Sequence, residues 1–222
     1  MAHHSSRHKT VSYRWPYVVV GSVVIVLAIV LIVISREHPV THKDVAEHST
    51  HPVTRLSLNG GQSFPWNYKA YGLDGQMHLL HRGKRATIVV MMASWCKFCA
   101  YDDKYVWPVL MKTPGVVVDI IDVSPNGGIG DPGPFSPPFD GSDHFGKPIS
   151  PTGMISVMRE YRVKFHLTAP NVAIYVDPEG LERWPIKYFP TIAFINGQGN
   201  VSQTVNGGLL LSQAQGLLQA TL

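Results

Sequence analysis

The sequence predicts an α/β domain, a mixed central sheet flanked by helices, behind an N-terminal transmembrane helix. Three observations predict it. Residues 17–34 are almost wholly apolar, interrupted only by Gly21 and Ser22. Residues 86–92 and 115–123 are continuous apolar runs rich in β-branched side chains, the mark of strands buried on both faces. After them strands and helices alternate, and a hairpin and a helix close the chain.

Taken in order, residues 1–16 carry Arg7, Lys9 and Arg14 with no acidic residue. Eighteen helical residues, 17–34, span ~27 Å, close to the hydrocarbon thickness. Trp15 and Tyr17 suit an interfacial aromatic belt at the start of that span. Beyond it Arg36 and Lys43 are the nearby cations, so the bias in Lys and Arg is modest and favours a cytoplasmic N-terminus. A cleaved signal peptide is the competing reading. The apolar run is longer than a usual signal core, and residues 34–38 offer no A-x-A-like cleavage site. No cysteine follows the run, which argues against a lipoprotein anchor. The expectation is a single-pass anchor in the cell membrane with the rest of the chain outside. Residues 35–55 are polar and His-rich, with Pro39 and Pro52, and read as a linker with no core of its own.

Residues 56–222, about 165 in number, are enough for one domain with its own core. The net charge of +4 is diffuse, with no basic stripe interleaved with aromatics, so nucleic acid is not indicated. A hairpin is expected first, turning at Asp74-Gly75, with residues 77–80 as its second arm. The strand at 86–92 follows, then a helix over 100–111 that Pro108 should kink. The strand at 115–123 leads to a helix over 153–165, with Met154, Val157, Met158 and Tyr161 on one face. A strand at 172–176, a short helix at 181–188, a hairpin of 191–195 with 201–205, and a helix at 209–220 complete the chain.

The chain has two cysteines, three positions apart, in Trp95-Cys96-Lys97-Phe98-Cys99. A strand feeding C-x-x-C into a helix is a redox arrangement. Free N–H groups and the positive end of the dipole at the helix start stabilise a thiolate at Cys96. The thiolate is the attacking species in disulfide exchange, and Cys99 is close enough to resolve a mixed disulfide. Zinc would need two further ligands; there are no other cysteines, and His144 and His166 are isolated. No metal and no cofactor are therefore expected. A structural disulfide is a poor alternative, because so short a loop constrains the unfolded chain very little.

Strand, W-C-x-x-C, helix, then Phe189-Pro190-Thr191 opening a strand, resembles the thioredoxin superfamily. Within it the chain is similar to the membrane-anchored TlpA/ResA-like thiol–disulfide oxidoreductases, through the Leu73-Asp74-Gly75 hairpin, residues 175–180 and residues 190–196 as well. The resemblance implies a thioredoxin-like sheet and exchange with protein thiols and disulfides. A membrane thiol donor would supply electrons to a reductase of this kind, as in cytochrome maturation. It also implies that Pro190 is cis and faces the cysteines, presenting the Phe189 backbone to a partner peptide. An ordinary trans proline opening a strand is the plainer reading of the same residue.

Cys96 is the expected nucleophile and Cys99 the resolving thiol. Trp95 is expected to pack beside the pair and limit solvent access. Lys97 should favour a thiolate at Cys96 by its charge. Phe98 occupies a position where thioredoxins often carry proline and strong oxidants histidine, so it leaves the redox poise open. Asp102 stands where ResA-like reductases tend to carry an acid. It either takes the proton of Cys99 or, with Asp103, simply complements the helix dipole. The acid that thioredoxin buries on the strand before its motif has no counterpart in residues 88–92.

Residues 124–152 are the largest departure from the family, a connection rich in Pro and Gly. A connection this long either serves the site, as a cap or a partner contact, or is simply a mobile surface loop, which is the plainer expectation. Asp140, Asp143 and His144 lie in it without fixing a metal geometry. Three rival functions share the sequence: a thiol oxidase that forms disulfides, a copper-handling chaperone using both thiolates, and a redox-silent binding domain. The copper reading lacks a well-placed histidine.

Overall fold

A computed structural model of the protein describes residues 55–134 and 139–222. The expected cytoplasmic segment, transmembrane helix and all but the last residue of the polar linker lie outside the described residues. Among the described residues no helix is long and apolar enough to cross a membrane.

Seven strands form one mixed sheet: β1 (Lys69–Gly72), β2 (Met77–Leu79), β3 (Ala86–Met92), β4 (Val116–Asp122), β5 (Val172–Val176), β6 (Thr191–Asn196) and β7 (Val201–Asn206). Their order across the sheet is β2-β1-β5-β4-β3-β6-β7. The three central strands β3, β4 and β5 are parallel to one another, with Val90 opposite Ile120 and Ile120 opposite Ile174. The outer pairings, β1–β2, β1–β5, β3–β6 and β6–β7, are antiparallel. The first hairpin turns where expected, with Gly75 at φ +82°, a conformation that suits glycine.

All seven residues of β3 are buried. Side chains alternate across a strand, so Ile88, Val90 and Met92 enter one core and Val89 and Met91 the other. The first core holds the two cysteines, Trp107 and the helix α3 (Pro151–Lys164). The second holds Phe64, Tyr68 and Trp184. Each fully buried aliphatic side chain here contributes roughly 1.5–3 kcal/mol. The last helix, α5 (Leu211–Thr221), adds Ala214 and Leu218 to the first core.

The segment after the C-x-x-C differs from a simple kinked helix. Helix α1 (Lys97–Tyr101) passes into a π-helical turn, Asp102–Val106, and then into α2 (Trp107–Leu110). Pro108 has no N–H and its ring would strike the carbonyl four residues back. The widened turn absorbs this, with the Trp107 N–H reaching back five residues to the Asp102 carbonyl. The same widening turns two consecutive carboxylates, Asp102 and Asp103, into the core.

The short helix expected at 181–188 is smaller. It is α4 (Gly180–Arg183), and Trp184, which precedes Pro185, is already extended at φ −101° and ψ 146°. A proline disfavours helical geometry in the residue before it. Helix α3 begins two residues earlier than expected, because Ser150 caps it by accepting the Gly153 N–H at 3.2 Å and Pro151 suits its first position.

Candidate active site

The site lies at the C-terminal ends of β3 and β4. Residues 93–96 run off β3 and set Cys96 at the N-cap of α1, at φ −79° and ψ 127°. Its N–H is held by the Ala93 carbonyl at 3.0 Å, and its own carbonyl accepts the Ala100 N–H at 3.1 Å. Both cysteines are free thiols and buried, Cys96 3% exposed and Cys99 1%.

The Phe189–Pro190 peptide is cis, and the Phe189 carbonyl lies 3.8 Å from the Cys96 sulfur. The Pro190 carbonyl accepts the Gly207 N–H at 2.7 Å, and the Thr191 hydroxyl bonds the Tyr188 carbonyl and Asn206, which fixes the turn on β7. Trp95 stands edge-on to Phe189, ring centroids 5.7 Å apart, and donates its indole N–H to the Ser124 hydroxyl at 2.9 Å. Cys96, Cys99, Trp95, Phe189 and Pro190 therefore come together.

The Cys96 thiol sits below its ordinary pKa. The Cys99 S–H bonded to it is the main cause; burial opposes this, and the backbone N–H groups of Cys99 and Phe98 add to it. Cys99 lies well above its ordinary value, first through burial and then through its hydrogen bond and charge coupling to Cys96. The two thiols are thus shifted in opposite directions, Cys96 down and Cys99 up. Lys97 is placed differently from expectation. Its ammonium lies 5.2 Å over the Phe98 ring, and the main stabilisers of the thiolate are the Cys99 thiol and backbone N–H groups.

Asp102 is fully buried, and one oxygen accepts the Leu209 N–H at 3.0 Å. Burial holds its carboxyl well above the usual range, with the Leu209 N–H opposing and the Asp103 charge adding. Asp102 therefore faces the core on the Leu209 N–H rather than solvent. Asp103 was not singled out by the sequence beyond the dipole role, yet it is equally buried. It accepts the Tyr161 hydroxyl at 2.6 Å, and its other oxygen has no partner. Burial pushes it up to about 7, against the Tyr161 hydrogen bond. Charge on Asp103 in turn raises Cys99.

Two more groups escaped the sequence reading. Asp122, at the end of β4, is buried behind Ser94; burial raises it to about 7, opposed by the Ser124 N–H and by Ser94. Tyr161 shows in the sequence as part of an apolar helix face, which hides the role of its hydroxyl. The second signal was the run of two aspartates after Cys99: with a proline five residues on, both can turn inward.

The connection after β4 lies against the motif. The Gly130 N–H donates to the Ser94 carbonyl at 2.9 Å, and the His144 N–H to the Trp95 carbonyl at 2.9 Å. Asp143 accepts the Lys97 N–H at 2.8 Å. Phe145 packs edge-on to Trp95 at 4.9 Å, and Phe139 to Phe98 at 5.0 Å. The described part of the connection thus covers the motif. Its hydrogen bonds to the motif reach backbone carbonyls and N–H groups, which residue types do not reveal. Among the described residues no three His, Cys, Asp or Glu side chains come together as a metal set.

No protein-family model and no curated protein matches this sequence. Solved structures do resemble the fold. One from Aquifex aeolicus VF5, a candidate electron transfer protein, is 8% identical with a TM-score of 0.50, covering 74% of this chain and 99% of its own. A thioredoxin-like protein from Aeropyrum pernix is 17% identical, TM-score 0.49, over 69% of this chain and 88% of its own. A secreted disulfide oxidoreductase of Mycobacterium tuberculosis is 16% identical, TM-score 0.48, over 69% and 95%. At these identities the likeness is one of fold alone, a mixed central sheet flanked by helices.

Proposed function

We propose that this protein is a thiol–disulfide oxidoreductase that reduces protein disulfides outside the cytoplasmic membrane, tethered by its N-terminal apolar segment. One observation carries the reading. Cys96 holds a lowered thiol against the backbone of the residue before Pro190, with a protonated Cys99 one turn beneath it.

The chemistry balances without a cofactor. The Cys96 thiolate attacks one sulfur of a client disulfide; a Cys96–client bond forms, the client S–S bond breaks, and the second client sulfur leaves as thiolate. Cys99 then loses its proton and attacks the Cys96 sulfur. The Cys96–Cys99 bond forms, the client's first sulfur leaves, and the client has gained two electrons. A dithiol donor of the membrane restores the pair by the same exchange. Phe189 and Pro190 would flank the client chain, and Trp95 would shield the mixed disulfide from water. Asp102 or Asp103 would take the Cys99 proton.

Cys99→Ser tests this directly. The variant should accumulate a covalent adduct with a disulfide-bonded client, visible on a non-reducing gel and cleared by reductant, whereas Cys96→Ser should form none. Equal trapping by both variants, or by neither, refutes the assignment of Cys96 as nucleophile.

A further inference from the structure

We propose that Asp143 sets the redox poise of the pair: held on the Lys97 N–H by the connection after β4, its carboxylate keeps negative charge at the start of the redox helix and disfavours the Cys96 thiolate. The inference rests on the exchange reading above and names a residue that the reading does not use.

The cap position of α1 is taken by Cys96, whose side chain makes no capping bond. The first N–H of the helix is capped instead by a residue 46 positions away, Asp143. Asp143 is fixed from both sides. Ser142 exchanges two backbone hydrogen bonds with Asp131, at 2.9 and 3.1 Å, and the His144 N–H is tied to the Trp95 carbonyl. The approach is close: a Cβ on Gly130 would stand 2.6 Å from the Cys96 carbonyl oxygen, so no other residue fits there without a shift. The carboxylate thus sits at the positive end of the helix that would otherwise serve the thiolate.

The other groups that face Cys96 do not duplicate this role. Lys97 turns its ammonium to Phe98, Cys99 donates its S–H, and Asp102 and Tyr161 are buried and lie above their ordinary values, first through burial. Asp103 acts on Cys99 from beneath. Asp143 is exposed and among those that raise Cys96. Reduction creates the thiolate next to a fixed carboxylate, and oxidation to the disulfide removes that repulsion. Asp143 therefore favours the disulfide form and makes the pair more reducing. Because the carboxylate faces water, salt should weaken the effect.

The test is a pair of titrations on the full chain in detergent micelles: thiolate absorbance against pH, and the dithiol fraction at equilibrium with glutathione. Asp143→Asn keeps an oxygen for the Lys97 N–H and removes the charge. It should lower the Cys96 midpoint by roughly half a pH unit, about threefold in thiolate population, the size expected for an exposed charge pair. It should move the glutathione equilibrium toward the dithiol, with both shifts shrinking in high salt. Asp143→Glu should restore the wild-type values. If Asp143→Asn matches wild type in both titrations while the pair still cycles, Asp143 is only a brace; the inference falls and the exchange reading stands. If the wild-type pair does not cycle at all, both fall.

Discussion

Asp103→Asn probes whether a buried acid holds a proton beneath the cysteines. In the folded protein Asp103 is raised from 3.8 to about 7, by burial and against the Tyr161 hydrogen bond. A raised carboxyl binds a proton in the folded state that the unfolded state has already released. Stability contributed this way is complete below about pH 4, falls as pH rises, and levels off above about pH 7. Between pH 5 and pH 7 the loss is ~1.36 kcal/mol per pH unit, hence roughly 2–3 kcal/mol from this group by pH 8. Asparagine does not titrate and keeps an oxygen for the Tyr161 hydroxyl. It leaves an amide N–H in place of the unpartnered oxygen, a fixed cost of ~1–3 kcal/mol at every pH. The stability of the variant relative to wild type should therefore improve by roughly 2–3 kcal/mol from pH 5 to pH 8, or ~5–10 °C in Tm for a domain of this size. Thermal and urea unfolding of the full chain, followed by tryptophan fluorescence, measures it. Parallel loss of stability in both proteins across that range would refute the claim that Asp103 holds the proton.

Asp102→Asn should slow exchange and shift the pH dependence of Cys99, while the Leu209 N–H keeps its acceptor; an unchanged rate and an unchanged Cys99 profile would remove Asp102 from proton transfer. Gly130→Ala should cost ~1–3 kcal/mol and slow exchange, because the added carbon meets the Cys96 and Trp95 backbone at 2.6–2.9 Å. Gly127→Ala, whose carbon would meet nothing closer than the Ile149 side chain at 3.4 Å, should leave both nearly unchanged; equal effects in unfolding and rate assays would show that the connection does not press on the motif.

The frame of this fold is written in composition and periodicity. Residues 86–92 and 172–176 are strands to the residue, since continuous apolar runs bounded by turn residues have few other uses. The cysteine pair, its helix and the residue before Pro190 are legible because their types carry the chemistry. The π-helical turn is not, because Pro108 announces a break without saying how it is absorbed. The inward turn of both Asp102 and Asp103 follows from that hidden detail. No acid lies on β3, and buried carboxylates come from the helix and from Asp119 and Asp122 on β4. The connection was legible only as Pro- and Gly-rich. Its docking depends on main-chain groups of Gly130 and His144 and on the side chains of Asp143, Phe139 and Phe145, with no pattern in the sequence to mark them.

The central claim is that Cys96 and Cys99 form a reducing dithiol–disulfide couple, and its most direct test is the reduction potential of the full chain, equilibrated against thiol buffers. Cys99 is strongly protonated, Asp143 opposes the Cys96 thiolate, and Phe98 offers the thiolate no side-chain support. The lowering of Cys96 comes from hydrogen bonds alone, with no cation among its causes, so a single two-electron transition near or below about −270 mV is expected. A value near about −120 mV would mean a strongly stabilised dithiol and an oxidant of client thiols, contradicting the account.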